Sequence, residues 1–376
     1  MKTIMQFRII PAVTAAALFC LSAPAPASFP DGRVSLTSSG AAQPHTAVTL
    51  TEDTTWKGTM EIRGAVIIAP QATLRIEPGT VVRFTPAKGE RQLPRLIIQG
   101  RLQAAGSNER PILLTADRGA GGKPGWGGVM LLSSEKRNRL EFCRIEGAET
   151  ALDGRFSSLS AKELTLARST TGCLFRDSVV TLSGVTVTSC ETGIEAHDSE
   201  VGLDGSIVTA NRRGCHLTRS SLSIKETRVT DNSQSALSCA DCRLSVDRSD
   251  ISGNGTGISV TGGEGQIVLS RIMRNRDTAL HLADARVKIN RCRISDNLRD
   301  GVRMDDERAQ AWGNIISGNG GHNLLYTGRD RLNVPLNWWG TAQESALQAK
   351  LAASATQHRA AVSAYPWLTE APDLTP

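Results

Sequence analysis

A nearly identical phrase recurs along the second half of this chain, and its spacing constrains the fold more than any other feature. "TRVTDN" closes on Asn232, "SDISGN" on Asn254, "RIMRN" on Asn275, "CRISDN" on Asn297 and "NIISGN" on Asn319, so the step is always 21 or 22 residues. Self-similarity at so short a period marks a stack of small units that bury their apolar faces only against one another. Three apolar columns keep the same phase. One runs Leu152, Cys173, Ile194, Cys215, Leu237, Ile258, Leu280, Val302, Leu324. A second runs from Ala161 through Leu182, Leu203, Ile224, Val246, Ile267 and Ile289 to Ala311, and a third from Ile145 through Val229 to Ile316. Inside a repeat the apolar positions alternate with polar ones, as in "SLSIKETRVTDN", where Leu222, Ile224 and Val229 face inward. Period-two alternation means strands.

Hairpins between successive strands would put equivalent residues out of phase. Parallel stacking places like above like, about 4.8 Å apart. The expected fold is therefore all-β, a single-stranded parallel β-helix of roughly 21–22-residue coils. Asn211, Asn232, Asn254, Asn275, Asn297 and Asn319 then form a ladder at a tight bend. There asparagine tolerates unusual backbone angles and its amide can bond to the copies above and below. Upstream, the same column holds Cys190, Ser169 and Ala148, so the ladder starts midway.

Ahead of the regular coils stand "ATLRIEPGTVVRF" at 72–84, "GRLQAAGSNERPILLTA" at 100–116, "GWGG" at 125–128 and "LEFCRIEGAE" at 140–149. With the repeat, these segments resemble secreted bacterial right-handed parallel β-helix proteins of the pectin-lyase-like superfamily. The resemblance implies a right-handed coil, in agreement with the general preference for right-handed parallel crossovers. It specifies no single activity, because the superfamily includes lyases, hydrolases, adhesins and binding proteins.

The expected boundaries follow. Lys2 and Arg8, the apolar run Ile9–Leu21 and the small-residue site "APA" at 25–27 make residues 1–27 a secretory signal. Residues 28–47 are a linker, 48–336 the β-helix with its N-terminal cap, 337–368 a C-terminal cap with a short helix, and 369–376 a tail. Trp56 anchors the first cap. In the second, Thr341 and Glu344 have capping-box spacing, Leu347 and Leu351 form an i, i+4 pair, and "YPWL" at 365–368 seals against Trp338 and Trp339. No later segment is long and apolar enough to span a bilayer. Two inserts, Pro86–Pro94 and Asp117–Pro124, are expected to project as loops.

Removing the signal takes Lys2 and Arg8 and no acid, so a formal charge of +6 falls to +4. So mild a balance, interspersed with acids, argues against nucleic acid. The mature chain keeps seven cysteines, most of them in inward columns; only "CADC", Cys239 and Cys242, offers a local disulfide, and the sequence leaves its oxidation state open. No Gly-rich phosphate loop, nucleophile elbow, H-E-x-x-H segment or paired zinc-ligand motif is present.

Outward positions offer three charged sets. Asp204, Lys225 and Asp247 share one column, and Arg228, Asp250, Arg271 and Arg293 another; both read as cross-strand charge pairs on a soluble face. The third set, Arg155, Arg176, Glu195, His197 and His216, shares one outward face and is the candidate site, since histidines beside a carboxylate can exchange protons or bind a metal. The repeat accounts for nearly every residue. The reading is therefore an exported, non-catalytic scaffold, periplasmic or at the cell surface, that binds polysaccharide or an envelope protein or serves a structural role, with no cofactor. The alternative is a polysaccharide lyase or glycoside hydrolase, with calcium, drawing on Lys88, Glu90, Arg91, Asp117, Arg118 and Lys123 of the two inserts.

Overall fold

The computed structural model describes residues 33–36, 47–86, 92–117, 122–134, 136–353 and 362–374. The expected export segment, 1–27, lies outside the described residues, as do Lys88, Glu90, Arg91 and Arg118 of the inserts.

Three parallel sheets run the length of the molecule, with 13, 14 and 12 strands among the described residues. We call them sheets A, B and C in that order. Each coil contributes one strand to each sheet, in the chain order B, C, A. One such coil is Arg213–Thr218, Ser221–Lys225 and Arg228–Thr230. The register reproduces the apolar columns: Leu152, Cys173, Ile194 and Cys215 are successive partners in sheet B, as are Val208, Val229 and Ile251 in sheet A. All of them are buried, and the core is one continuous apolar column along the axis. Stacking equal residues lets each β-branched side chain meet its own kind at strand spacing, so one sequence pattern fills the whole core.

The asparagine ladder forms as a chain of shared acceptors. Asn254 Oδ1 accepts from the backbone N–H of Asn232 and from its Nδ2, both at 2.9 Å, while Asn254 itself donates to Asn275. The unusual backbone angles, however, fall one residue earlier than expected. Ala210, Asp231, Gly253, Arg274, Asp296 and Gly318 carry the positive φ, and each ladder asparagine follows in ordinary conformation. The bend is made before the rung, so the rung's amide is free to stack.

A second ladder, not anticipated, lines the corner where sheet C turns into sheet A. Ser206, Thr227, Ser249 and Ser270 each accept the backbone N–H of the preceding rung at 3.1–3.2 Å. It continues through Cys292, Asn314 and Asn337.

At the N-terminal end Trp56 is buried, as expected of an anchor. Residues 48–68 nonetheless form regular coil strands, and Arg33–Leu36, inside the segment expected as linker, adds to the edge of sheet A. Trp126 of "GWGG" stacks on Phe84 at 4.0 Å and donates to the Glu146 carbonyl. At the other end the helix is Glu344–Gln348, with Gln343 as its N-cap and no side-chain cap, so the Thr341–Glu344 box does not form; Thr341 Oγ1 accepts from Gln343 N instead. Leu347 is buried, but Leu351 belongs to a strand, Leu351–Ala353, that closes sheet B against Leu324–Tyr326. Trp339 is buried and Trp367 packs on the core, whereas Tyr365, 76% exposed, seals nothing. Five residues make too short a helix to cover the end alone, and an added strand satisfies the open backbone edge directly. At residues 262–265, "GGEG", Gly262 and Gly263 turn the corner with positive φ, and Glu264 already begins the strand Glu264–Val268. A Cβ on Gly263 would run into the Cys242 carbonyl, which is why glycine holds that position.

Candidate functional site

The five residues singled out from the sequence do share one face. Arg155, Arg176 and His197 are successive register partners on the outside of sheet B, with Thr218 next. The adjacent outward column runs Asp153, Leu174, Glu195, His216. Glu195 and His216 are therefore neighbours, as the repeat implied. Glu195 nevertheless bonds along its own strand: His197 Nε2 lies 3.0 Å from Glu195 Oε1. Two residues on, a side chain returns to the same face, so an i, i+2 pair competes with the cross-strand pair at similar range. A carboxylate oxygen can only accept, so this bond places a hydrogen on Nε2. His216, half-buried, is held below the ordinary imidazole range, first by burial and then by the Arg213 charge.

Arg155 makes a two-pronged bond to Asp153, at 3.1 and 2.8 Å, and this bond raises the guanidinium further. Asp153 was missed from the sequence, although the same i, i+2 spacing that joins Glu195 to His197 gives it away. Arg176 stands between Arg155 and His197 with no carboxylate at ion-pair distance among the described residues.

A second cluster on sheet B, five strands further on, was also missed. Asp305 accepts from Thr327 Oγ1 at 2.6 Å and Arg303 Nε at 2.9 Å, and pairs with His281 Nε2 at 2.8 Å. Burial pushes this carboxyl up, but the bonds from Thr327, His281 and Arg303 together outweigh it and bring it down to about 2. Its partners come from three coils, and nothing local in the sequence joins residues 281, 305 and 327. The charge columns behave unevenly. Asp250 and Arg271 pair across strands at 3.3 Å, as expected. Lys225, however, lies 4.0 Å from Glu226 rather than pairing with Asp204 or Asp247, and Asp247 pairs with Arg248.

Among the described residues no three His, Cys, Asp or Glu side chains converge in a metal-binding group. The calcium of the lyase alternative thus finds no ligand set there, and no step is derived through it. The seven cysteines among the described residues are buried thiols. The closeness of the Cys239 and Cys242 sulfurs holds the Cys242 thiol below its usual range and, with burial, pushes Cys239 up. No helix among the described residues is long and apolar enough to cross a membrane.

Comparison with known proteins agrees with this architecture. The family model for a right-handed β-helix region matches residues 151–285 and 217–338, half of the chain together. The chain belongs to the right-handed β-helix family. A pectate-lyase-like β-helix domain matches residues 45–157, so the two matches run without a gap from the first coils to the C-terminal cap. Solved structures to which the chain is similar include the periplasmic alginate epimerase AlgG, 11% identical over 90% of this chain and 84% of that one, with a TM-score of 0.41. The A-module of the Azotobacter vinelandii mannuronan C-5 epimerase AlgE6 is 14% identical over 88% and 92%, TM-score 0.30. Pectate lyase Pel9A is 12% identical over 80% and 70%, TM-score 0.31. No curated protein matches the sequence.

Proposed function

We propose that this β-helix protein is an exported scaffold that binds acidic polysaccharide along the outward face of sheet B, without turning it over. One observation carries the reading: Arg176 lies between Arg155 and His197 in one outward column, without a carboxylate of its own among the described residues. A flat, repeating face of this kind suits a repeating polymer, because each coil offers equivalent positions at strand spacing to successive sugars. A guanidinium with unused donors recognises a carboxylate by a two-pronged bond. The apolar leader at Ile9–Leu21 supports placement outside the cytoplasm.

Isothermal titration of the mature protein with polygalacturonate, alginate and neutral dextran tests the reading. Binding confined to the two acidic polymers, weakened by salt and reduced about tenfold or more by Arg176→Gln, is the expected result. Equal affinity for dextran, or no binding to any of them, would overturn it.

The Glu195–His197 bond favours a second reading, an acid–base enzyme of the lyase or hydrolase type. The carboxylate fixes the tautomer, and Nδ1 could then take a proton from a sugar held by Arg176. New ultraviolet absorbance from unsaturated ends, or new reducing ends, would establish that reading over simple binding.

A further inference from the structure

A groove of about 620 Å³ runs along the corner between sheets C and A, the one corner that sheet B does not border. Four consecutive coils build its walls. The corner residues Arg248 and Arg291 and the first sheet-A residues Arg228, Arg271 and Arg293 supply five guanidinium groups, against Glu226 and Asp250 from the same coils. Arg248 pairs with Asp247 and Glu226, and Arg271 with Asp250. Arg228, Arg291 and Arg293 have no carboxylate at ion-pair distance among the described residues. The chain's own C-terminal segment already lies in this groove: Pro372, Asp373 and Leu374 line it, with Pro372 and Leu374 half-buried. Leu368 N is bonded to the Asn337 carbonyl, so the segment leaves the cap from a fixed point and crosses back over the coils.

We infer that this corner is a second binding site, for an extended carboxylate-bearing polysaccharide, and that the C-terminal segment is its tethered competitor. Charge sets the class of ligand, since an excess of guanidinium groups in line with the axis selects a chain with carboxylates at intervals. The walls decide between glycan and peptide. Leu269 is the sole large apolar residue that the coils contribute, and their backbone groups are already paired coil to coil. A peptide could therefore neither extend a sheet nor fill an apolar pocket, the two usual sources of peptide affinity. A sugar polymer needs only the charges and the polar rim. The tail holds the groove by proximity, and a segment seated about nine-tenths of the time lowers the apparent affinity for a competing ligand about tenfold.

The test uses the full mature chain and Asp373→Ser, with a chain ending at Leu368 as a second variant, each titrated with oligogalacturonate and with poly-glutamate. Both variants should bind oligogalacturonate several-fold to tenfold more tightly than the parent. Adding Arg228→Gln, Arg291→Gln and Arg293→Gln should abolish the gain, while Arg176→Gln should leave it intact, which separates this site from the face of sheet B. Hydrogen exchange of residues 369–374 should be slowed in the parent and released by the triple arginine change, a readout that needs no glycan. No gain in either variant, a gain that survives the triple change, an unprotected tail, or an equal gain for poly-glutamate would each overturn the proposal.

Discussion

Two of the three laddered corners of this coil do the same job with different chemistry. At the corner between sheets A and B, three to six residues separate the strands, four of them in Asp231–Gln234, and the buried rung is asparagine six times running. At the corner between C and A only two residues turn the chain, Glu226 and Thr227 in one coil, and the rung is a hydroxyl from Ser206 to Ser270. At the A–B corner each amide bridges to the next coil twice, through the backbone N–H and through Nδ2. A tight turn brings the backbone so close that one hydroxyl suffices: Ser249 accepts from Thr227 N and donates to the Asp247 carbonyl at 2.8 Å. In the middle coils the wider corner carries amide rungs and the tighter one hydroxyl rungs, although Asn314 shows that an amide also fits the tight turn, and the rung sets how much each coil depends on its neighbour.

Removing rungs tests that comparison, and the largest effect belongs to the wide corner. Asn254→Ala strands the Asn232 backbone N–H, takes one of three acceptors from Asn232 Nδ2, and removes the bonds that Asn254 Nδ2 gives to Val229 O, Ser252 O and Asn275 Oδ1. With one buried donor stranded at about 1–3 kcal/mol and several further bonds lost, a loss on the order of 3 kcal/mol or more is expected in urea unfolding. Ser249→Ala strands only the Thr227 N–H, so about 1–2 kcal/mol should be lost. Equal losses at the two corners would break the comparison.

Outward contacts should matter less than either ladder. Asp305 sits near 2 in the folded chain against about 3.9 when unfolded, so its contribution is complete above about pH 4. That contribution disappears as pH falls from about 4 to 2, and because the group is partly exposed it should amount to less than about 1 kcal/mol. Comparing acid unfolding of the parent with Asp305→Asn isolates it; identical curves would show that the cluster adds nothing. Smallest of all, Arg271→Ala, which removes an exposed pair with Asp250, should shift stability by no more than about 0.5 kcal/mol in the same urea titration. A larger loss there would mean that the outer charges, and not the inner rungs, hold this corner.

Most of the fold could be read from the chain because a coil repeats its environment. Leu222 and Ile224 face inward in one turn, and the same offset predicts Leu244 and Val246 in the next; all four are buried. Glu195 and His197 could be found for the same reason. The C-terminal end resisted such reading. Leu347 and Leu351 obey a helical spacing, yet the open edge of sheet B recruits Leu351 as a strand, and local propensity over five residues cannot compete with a row of unpaired backbone groups.

By itself the sequence determined the coil length, the inward columns, the asparagine rungs and which residues share an outward face, because all of these depend only on period. Which outward charges actually meet was decided by tertiary structure. His197 rather than His216 takes Glu195, Asp305 collects partners from three coils, and the C-terminal segment lies across the arginines of the corner between C and A. Those choices rest on side-chain reach and on chain segments far apart in sequence, and a repeat, being the same in every turn, holds no information about either.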